Sequence, residues 1–256
     1  MARLALPQVT LCAATSVNVA ATIAAMRHSI ALCDFGAAVL LTDQLDVTPQ
    51  EGIAVKRIAP LTSAAAYSRF ILSDLWQYIS TSHVLVVQWD GFVVQPAAWD
   101  PEFLEFDYIG AIWPQFDDGA VVGNGGFSLR SKRLLEACRT IGLAEHPEDI
   151  AICRTHRARL EQGFGIRFAD PGLAARFSYE RSAGSGTEFG FHGVFNLPNH
   201  LSADSWWNIY LGLDEAGSVY HDLRTLIRSV WRAPQGLRRA ARLMMDATLG
   251  RLGVRR

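Results

Sequence analysis

The sequence predicts an α/β protein: a mixed, mainly parallel central sheet flanked by helices, with a helical extension at the C-terminus. Three observations carry that expectation. Short apolar runs alternate with longer stretches of helical periodicity in the order strand, helix, strand, strand, helix, strand, the pattern of a parallel sheet covered on both faces. One run, Val84–Val87 within HVLVVQWDGFVV, is apolar throughout and rich in β-branched residues, as a central strand is. The composition, 50% hydrophobic and 19% charged over 256 residues, supplies a sizeable core and excludes a disordered chain.

In order, Val9–Ala14 reads as a first strand ending at Thr15-Ser16. Asn18 caps a helix reaching about Cys33, with Val19, Ile23, Met26, Ile30 and Cys33 on one face. Ala37–Leu41 is a second buried strand, closed by a carboxylate at Asp43. Ile53–Ile58 alternates as a peripheral strand does, and Ser63–Ile79 repeats Tyr67, Phe70, Ile71, Leu75 and Tyr78 at helical spacing. The run Val84–Val87 follows. Its exit, Gln88-Trp89-Asp90-Gly91, delivers a carboxylate and then a glycine that lets the backbone bend. Ligands of open α/β sheets bind at the carboxyl ends of strands. Asp90 is therefore the best-placed functional residue, the alternative being an Asp that simply opens a turn.

Beyond Pro96, Trp99-Asp100-Pro101 begins a helix or turn, and Phe106–Trp113 reads as a strand. In Val121–Arg130 (VVGNGGFSLR) three glycines permit positive φ and close backbone approach to a ligand, and the strand Phe127–Leu129 leaves at once. The stretch is neither a P-loop nor a dinucleotide fingerprint; a structural hairpin at Asn124-Gly125 explains it equally well. Ser131 caps a helix to Ile141, and His146-Pro147-Glu148-Asp149 opens another over Ile150–Gln162. Glu148 and Asp149 either complement the helix dipole or supply a general base. Gly165–Ala169 and Ala174–Glu180 read as short strands, and Ser182–Thr187 as a loop. Then Phe189–Gly193 (FGFHG) sets His192 among aromatics and glycines, as a core histidine or as part of a backbone folded round a ligand.

The net charge of -1 conceals an asymmetry: from His221 onward nine arginines face Asp222 and Asp246, a local +7, which leaves about -8 for residues 1–220. The catalytic bulk is assigned to residues 1–204 and a basic helical extension to 205–256. Two helices are expected over Leu223–Val254, split near Pro234-Gln235-Gly236. The second, with Leu237, Ala240, Ala241, Met244, Met245 and Leu249 among arginines, either lies on an anionic membrane or packs on the domain with a solvated Arg face. Nucleic acid is not an expected partner, since no binding motif or aromatic interleaving is present. The four cysteines have no zinc spacing, no leader is read at the start, and no apolar run approaches a membrane span. The expected location is cytoplasmic, peripheral at the inner face of the membrane if the tail binds lipid.

Together, Tyr67–Phe70 (YSRF), His83–Phe92 (HVLVVQWDGF), Phe106–Trp113 (FDYIGAIW), Gly123–Arg130 (GNGGFSLR), Pro147–Asp149 and Phe189–Gly193 resemble a family of bacterial and fungal domains with a GT-A-type glycosyltransferase fold, long catalogued as a domain of unknown function. The resemblance spans about residues 9–200 and leaves the basic tail outside. It implies transfer of a hexose from a nucleoside-diphosphate sugar, uridine-linked by default, to a hydroxyl of a glycan or lipid-linked acceptor in polysaccharide biosynthesis. GT-A enzymes place an Asp-x-Asp after a central strand; here it reads Gln88-Trp89-Asp90, so the first Asp is a Gln. The resemblance then implies a divalent cation, Mn²⁺ or Mg²⁺, on Asp90 and His192. It puts Thr15 and Asp43 about the base and ribose, Arg69 near the diphosphate or sugar, and Gln88 with Trp89 on the donor. The backbone of Gly125 and Gly126 lies against the sugar, and Asp149, with Glu148 as rival, is the base. A non-catalytic nucleotide- or glycan-binding module and a nucleotidyltransferase are the other readings.

Overall fold

The computed structural model describes residues 3–47, 51–231 and 233–252. They form two compact units, Met1–His192 and Gly193–Arg256, where composition had put the boundary after residue 204.

The first unit is a mixed α/β sheet of six strands in the order β3-β2-β1-β4-β6-β5. These are β1 (Leu4–Ala14), β2 (Cys33–Thr42), β3 (Ala54–Arg57), β4 (His83–Val87), β5 (Tyr108–Ile109) and β6 (Phe127–Ser131). β1 pairs in parallel with both β2 and β4, and β2 with β3. β6 runs antiparallel to β4 and β5. The sheet is thus mainly parallel and flanked by helices, as the alternation of apolar runs requires.

Side-chain alternation explains why the runs Leu11–Ala14 of β1 and Val84–Val87 of β4 are apolar on both faces. Leu11, Ala13, Leu85 and Val87 join the core containing Val19, Ile23 and Met26 of α1 (Val19–Leu32). Cys12, Ala14, Val84 and Val86 join the opposite core with Phe70 and Ile71 of α2 (Ala64–Ser73). β3 closes one edge and all four of its residues are exposed. All four cysteines are buried free thiols.

Several local expectations need correction. Asn18 occupies the N-cap of α1 in the left-handed region and makes no side-chain cap bond. The helix expected to continue to Ile79 stops at Ser73 and resumes as a 3₁₀ turn, Leu75–Tyr78. There the Ser73 hydroxyl donates to the Arg69 carbonyl (2.7 Å) and to Asp74 (3.0 Å), competing with the helical ladder. Asp100 caps a 3₁₀ turn, Pro101–Glu105. The strand expected over 106–113 shrinks to Tyr108–Ile109, with an isolated antiparallel bridge of Ile112 to Val122 beyond it, and Gly110 lies against the Gly123 carbonyl where a Cβ would be 1.9 Å away. Ser131 does cap α3 (Lys132–Ile141), accepting from Leu134 N at 3.0 Å. The next helix is broken into α4 (Glu148–Ile150), a π-helical turn (Ala151–Thr155) and α5 (Arg157–Phe164).

Residues 165–169 form only one bridge, Phe168 to Tyr108. The strand expected over 174–180 is instead α6 (Pro171–Phe177) followed by β7 (Ser178–Tyr179), which pairs in parallel with β8 (Gly190–Phe191). The missed signal is Asp170-Pro171. The carboxylate accepts from Gly172 N (2.8 Å) and Leu173 N (3.1 Å), and proline at the first helical position costs nothing there.

The second unit contains α7 (Leu197–His200), α8 (Ala203–Leu211), α9 (Gly217–His221), α10 (Leu223–Trp231) and α11 (Gly236–Arg251). The break between α10 and α11 falls at Pro234–Gly236 as expected, with Gln235 at φ 59; Val254 lies outside the described residues. Of the two orientations left open, apolar residues facing outward or packed on the domain, α11 has most of them outward. Its buried face carries Ala240, Leu243 and Ala247 together with Arg239 and Asp246, whereas Leu237, Met244, Met245 and Leu249 are exposed. Arg239 donates to Asp204 and to the Ala203 carbonyl, while Asp246 accepts from Tyr210 and Arg242. No helix among the described residues is long and apolar enough to cross a membrane.

Candidate functional site

β1, β2 and β4 are parallel, so their exits at Thr15, Asp43 and Gln88 arrive at one edge of the sheet. The chain leaves β1 for β2 on one side and returns across it to β4 on the other. The crevice outside β1 and β4 is therefore the topological switch point, where α/β sheets bind ligands.

At that edge a cleft of about 170 Å³ opens, lined by Gln88, Asn124–Gly126, Glu148, Asp149, Glu180 and His192 together with Pro147. Gln88 is tied down on the main chain by donation from its N–H to the Gly126 carbonyl (3.0 Å), and its Nε2 donates to the Tyr67 hydroxyl (3.3 Å). Two residues on, Asp90 is buried. Its Oδ1 lies 3.3 Å from His192 Nε2, yet the approach is too poorly aligned for a hydrogen bond and the oxygen has no hydrogen-bond partner. The other ring nitrogen of His192, Nδ1, is 3.3 Å from Glu180 Oε1. Burial alone would lower the His192 pKa; Asp90 and Glu180 outweigh it and raise it to about 10. Burial likewise opposes ionisation of Glu180, but its partnership with His192 holds the carboxyl below the ordinary glutamate value.

The glycine loop serves this cluster by its small size. None of Gly123, Gly125 and Gly126 has positive φ; that conformation falls on Asn124, at φ 73. A Cβ on Gly126 would lie 2.0 Å from His192 Nε2, and one on Gly125 2.2 Å from Glu148 Oε1. The three glycines thus leave the positive φ they permit unused, and Gly125 and Gly126 face the cleft.

The adjacent carboxylates have different surroundings. Glu148 is buried and accepts from Arg130 Nη2 (3.1 Å) and Ser68 Oγ (3.3 Å). Arg130 is itself fully buried on β6, its Nε donating to Ser128 Oγ at 3.0 Å. Asp149 accepts from Gly125 N (3.1 Å) and Ile150 N (2.8 Å), and burial, with the charge of Glu148 beside it, raises its pKa. A carboxylate held by two backbone donors with raised proton affinity is suited to general-base work.

The cleft thus gathers Gln88, Gly125, Gly126, Glu148, Asp149 and His192, and Asp90 abuts it through His192. Thr15, Asp43, Arg69 and Trp89 do not line it. The Thr15 hydroxyl turns back to the Val17 carbonyl, Asp43 Oδ1 is buried without a hydrogen-bond partner, and Arg69 is exposed on α2. Sequence reasoning missed Glu180, which no motif spacing marks, and the pairing of Arg130 with Glu148, which a buried arginine in an apolar strand could have signalled. Among the described residues no group of three or more His, Cys, Asp or Glu is arranged to hold a metal; Asp90 and His192 offer one oxygen and one nitrogen donor.

Fold and site define an α/β protein with a charged, partly buried cleft at the carboxyl edge of its parallel strands. The model of a family described as "Protein of unknown function (DUF5672)" matches residues 53–192, more than half of the chain, and the chain belongs to that family. Among solved structures, a glycosyltransferase involved in the glycosylation of the major capsid of PBCV-1 is similar at 12% identity and a TM-score of 0.47, covering 79% of this chain and 98% of that one. The apo-form glycosyltransferase GlyE of Streptococcus pneumoniae TIGR4 is similar at 13% identity and a TM-score of 0.44, covering 81% of this chain and 60% of that one. No curated protein matches.

Proposed function

We propose that the protein is a nucleotide-sugar glycosyltransferase of GT-A type, moving a hexose from a nucleoside diphosphate, uridine diphosphate by fold analogy, to a hydroxyl of a glycan or lipid-linked acceptor. One observation carries the reading. At the switch point, a single cleft brings Asp149, whose affinity for a proton is raised, together with the His192 that is set between Asp90 and Glu180.

In this reading Asp149 takes the proton of the acceptor hydroxyl as its oxygen bonds to the anomeric carbon. The bond from that carbon to the phosphate oxygen breaks, and the electron pair leaves with the nucleoside diphosphate. Glu148 stays paired with Arg130 and holds the Gly125 side of the cleft. The backbone of Gly125 and Gly126 admits the sugar closely, and Gln88 contacts sugar or ribose. Thr15 and Asp43 make the nucleoside side, where the unpartnered Asp43 Oδ1 suits a ribose hydroxyl. By the family resemblance Arg69 and Trp89 belong to the donor side as well.

Asp90 and His192 fit a divalent cation, Mn²⁺ or Mg²⁺. The buried Asp90 Oδ1 lacks a hydrogen-bond partner, and its 3.3 Å separation from Nε2 is close to the roughly 3 Å between adjacent ligands on an ion with bonds of about 2.1 Å. Glu180 accepts from Nδ1–H; Nε2, which lies 3.3 Å from Gln88 Oε1 and is protonated in the imidazolium, would become a metal donor only as the ion displaces that proton. Held there, such an ion would supply charge neutralisation to the diphosphate leaving group.

The test is a panel of nucleotide sugars with Mn²⁺ or with EDTA, scoring nucleoside diphosphate release, beside Asp90→Asn and His192→Ala. Slow hydrolysis of one donor, abolished by EDTA and in both variants, is expected. Turnover that survives EDTA would remove the cation and keep the transferase. If no donor or nucleoside diphosphate shifts the thermal melt, the transferase reading falls.

A further inference from the structure

In the second unit, α11 has two faces of opposite design. Gly236, Arg239, Ala240, Leu243, Asp246 and Ala247 are buried, a helical repeat whose two charged members are each paired within the unit, Arg239 with Asp204 and Asp246 with Tyr210 and Arg242. The outer face holds Leu237, Met244, Met245, Leu249 and, just past the helix, Leu252. Leu237 and Leu252 are 67% and 71% exposed, Met244 and Met245 48% and 50%. From Leu237 to Leu249 the stripe runs about 18 Å along the axis. Isolated exposed apolar residues need no explanation, but a continuous stripe along one helix face does.

The charge around the stripe selects its occupant. Arg238 is exposed on the same helix, Arg224 and Arg228 on α10, and the segment from His221 carries a local +7 even with Arg242 paired to Asp246. A second copy docking stripe to stripe would bring the same positive segment against itself. An anionic bilayer meets both features, accepting the Leu and Met side chains at the acyl boundary while its headgroups face the guanidinium groups. We propose that the outer face of α11 is a docking surface for an anionic lipid membrane. This stands on the helix alone, independent of the chemistry in the cleft.

Co-sedimentation of the full chain with phosphatidylcholine vesicles, with and without phosphatidylglycerol, tests it. Binding is expected only to the anionic vesicles and to weaken as salt is added. Met244→Ser with Met245→Ser is expected to weaken it by about tenfold, and Arg238→Glu by a similar, salt-dependent factor. Because these side chains are about half exposed and hold no buried polar partner, the variants should stay folded, with helical content unchanged by circular dichroism. An environment-sensitive dye on Met245→Cys, the native cysteines being buried, is expected to shift to the blue on anionic vesicles. Absence of vesicle binding, binding indifferent to the stripe variants, or a dimer in light scattering that those variants dissolve would each overturn the proposal, the last by assigning the stripe to a second copy.

Discussion

Glu148 and Asp149 are neighbours in sequence whose environments assign them different work. Glu148 is the buried partner of a buried arginine, so Glu148→Gln leaves Arg130 charged and under-compensated, at a cost of about 3 kcal/mol in a denaturant titration. Asp149 is expected to behave in the opposite way. Its pKa in the folded chain lies above the ordinary value of 3.8, so its favourable contribution is fully present only below that value. It is lost as pH rises through the raised pKa, and at neutral pH the ionised carboxylate is a burden on the fold. Relative to the wild type, Asp149→Asn should therefore gain in melting temperature from acid to neutral pH, against a constant loss of one of the two backbone hydrogen bonds, since the amide keeps a single acceptor oxygen. It should also lose about 10²–10⁴-fold in transfer rate. The wild-type rate should fall on the acid side at a pH above that of an ordinary aspartate. A difference in melting temperature that does not move with pH, in a variant that keeps its rate, would show that Asp149 is structural.

Elements were legible where one physical requirement dominates. β4 is readable because both its faces are buried, which demands an unbroken apolar run. Ser131 as the cap of α3 is readable because a serine before a helical repeat has one obvious use. α6 was not read, since Ala174–Phe177 is apolar enough for a strand and the deciding residue is Asp170, outside the repeat. Asp170→Ala should cost about 1 kcal/mol by thermal denaturation; no change would mean the tertiary contacts of Leu173, Ala174 and Phe177 hold the helix unaided. In α11 the direction of the apolar residues stayed open, and Leu243, which is buried, was not singled out. The choice of face rested on Asp204 and Tyr210, partners distant in sequence that take up Arg239 and Asp246.

Across the molecule, topology makes a statement that no single residue makes. With the strand order β3-β2-β1-β4-β6-β5, one crevice lies between outgoing and returning connections. A bound nucleoside diphosphate should protect amides at the exits of β1, β2 and β4 and in the Asn124–Gly126 loop from hydrogen exchange, and leave the opposite edge unchanged. Protection confined to the entry ends of the strands would move the site elsewhere.

The amino-acid order was sufficient for the α/β class, for the buried central strand and for Asp90 at its exit, because burial on two faces and the polarity of a strand end are written in consecutive residues. It was also sufficient for the glycines of GNGGFSLR to be noticed, though not for their reason. What the folded chain alone supplies is partnership: Glu180 with His192, Arg130 with Glu148, and the imidazole for which Gly126 leaves room. Those pairs join different elements, and the raised pKa values of Asp149 and His192 come from burial and neighbouring charge, which exist only once the chain is packed.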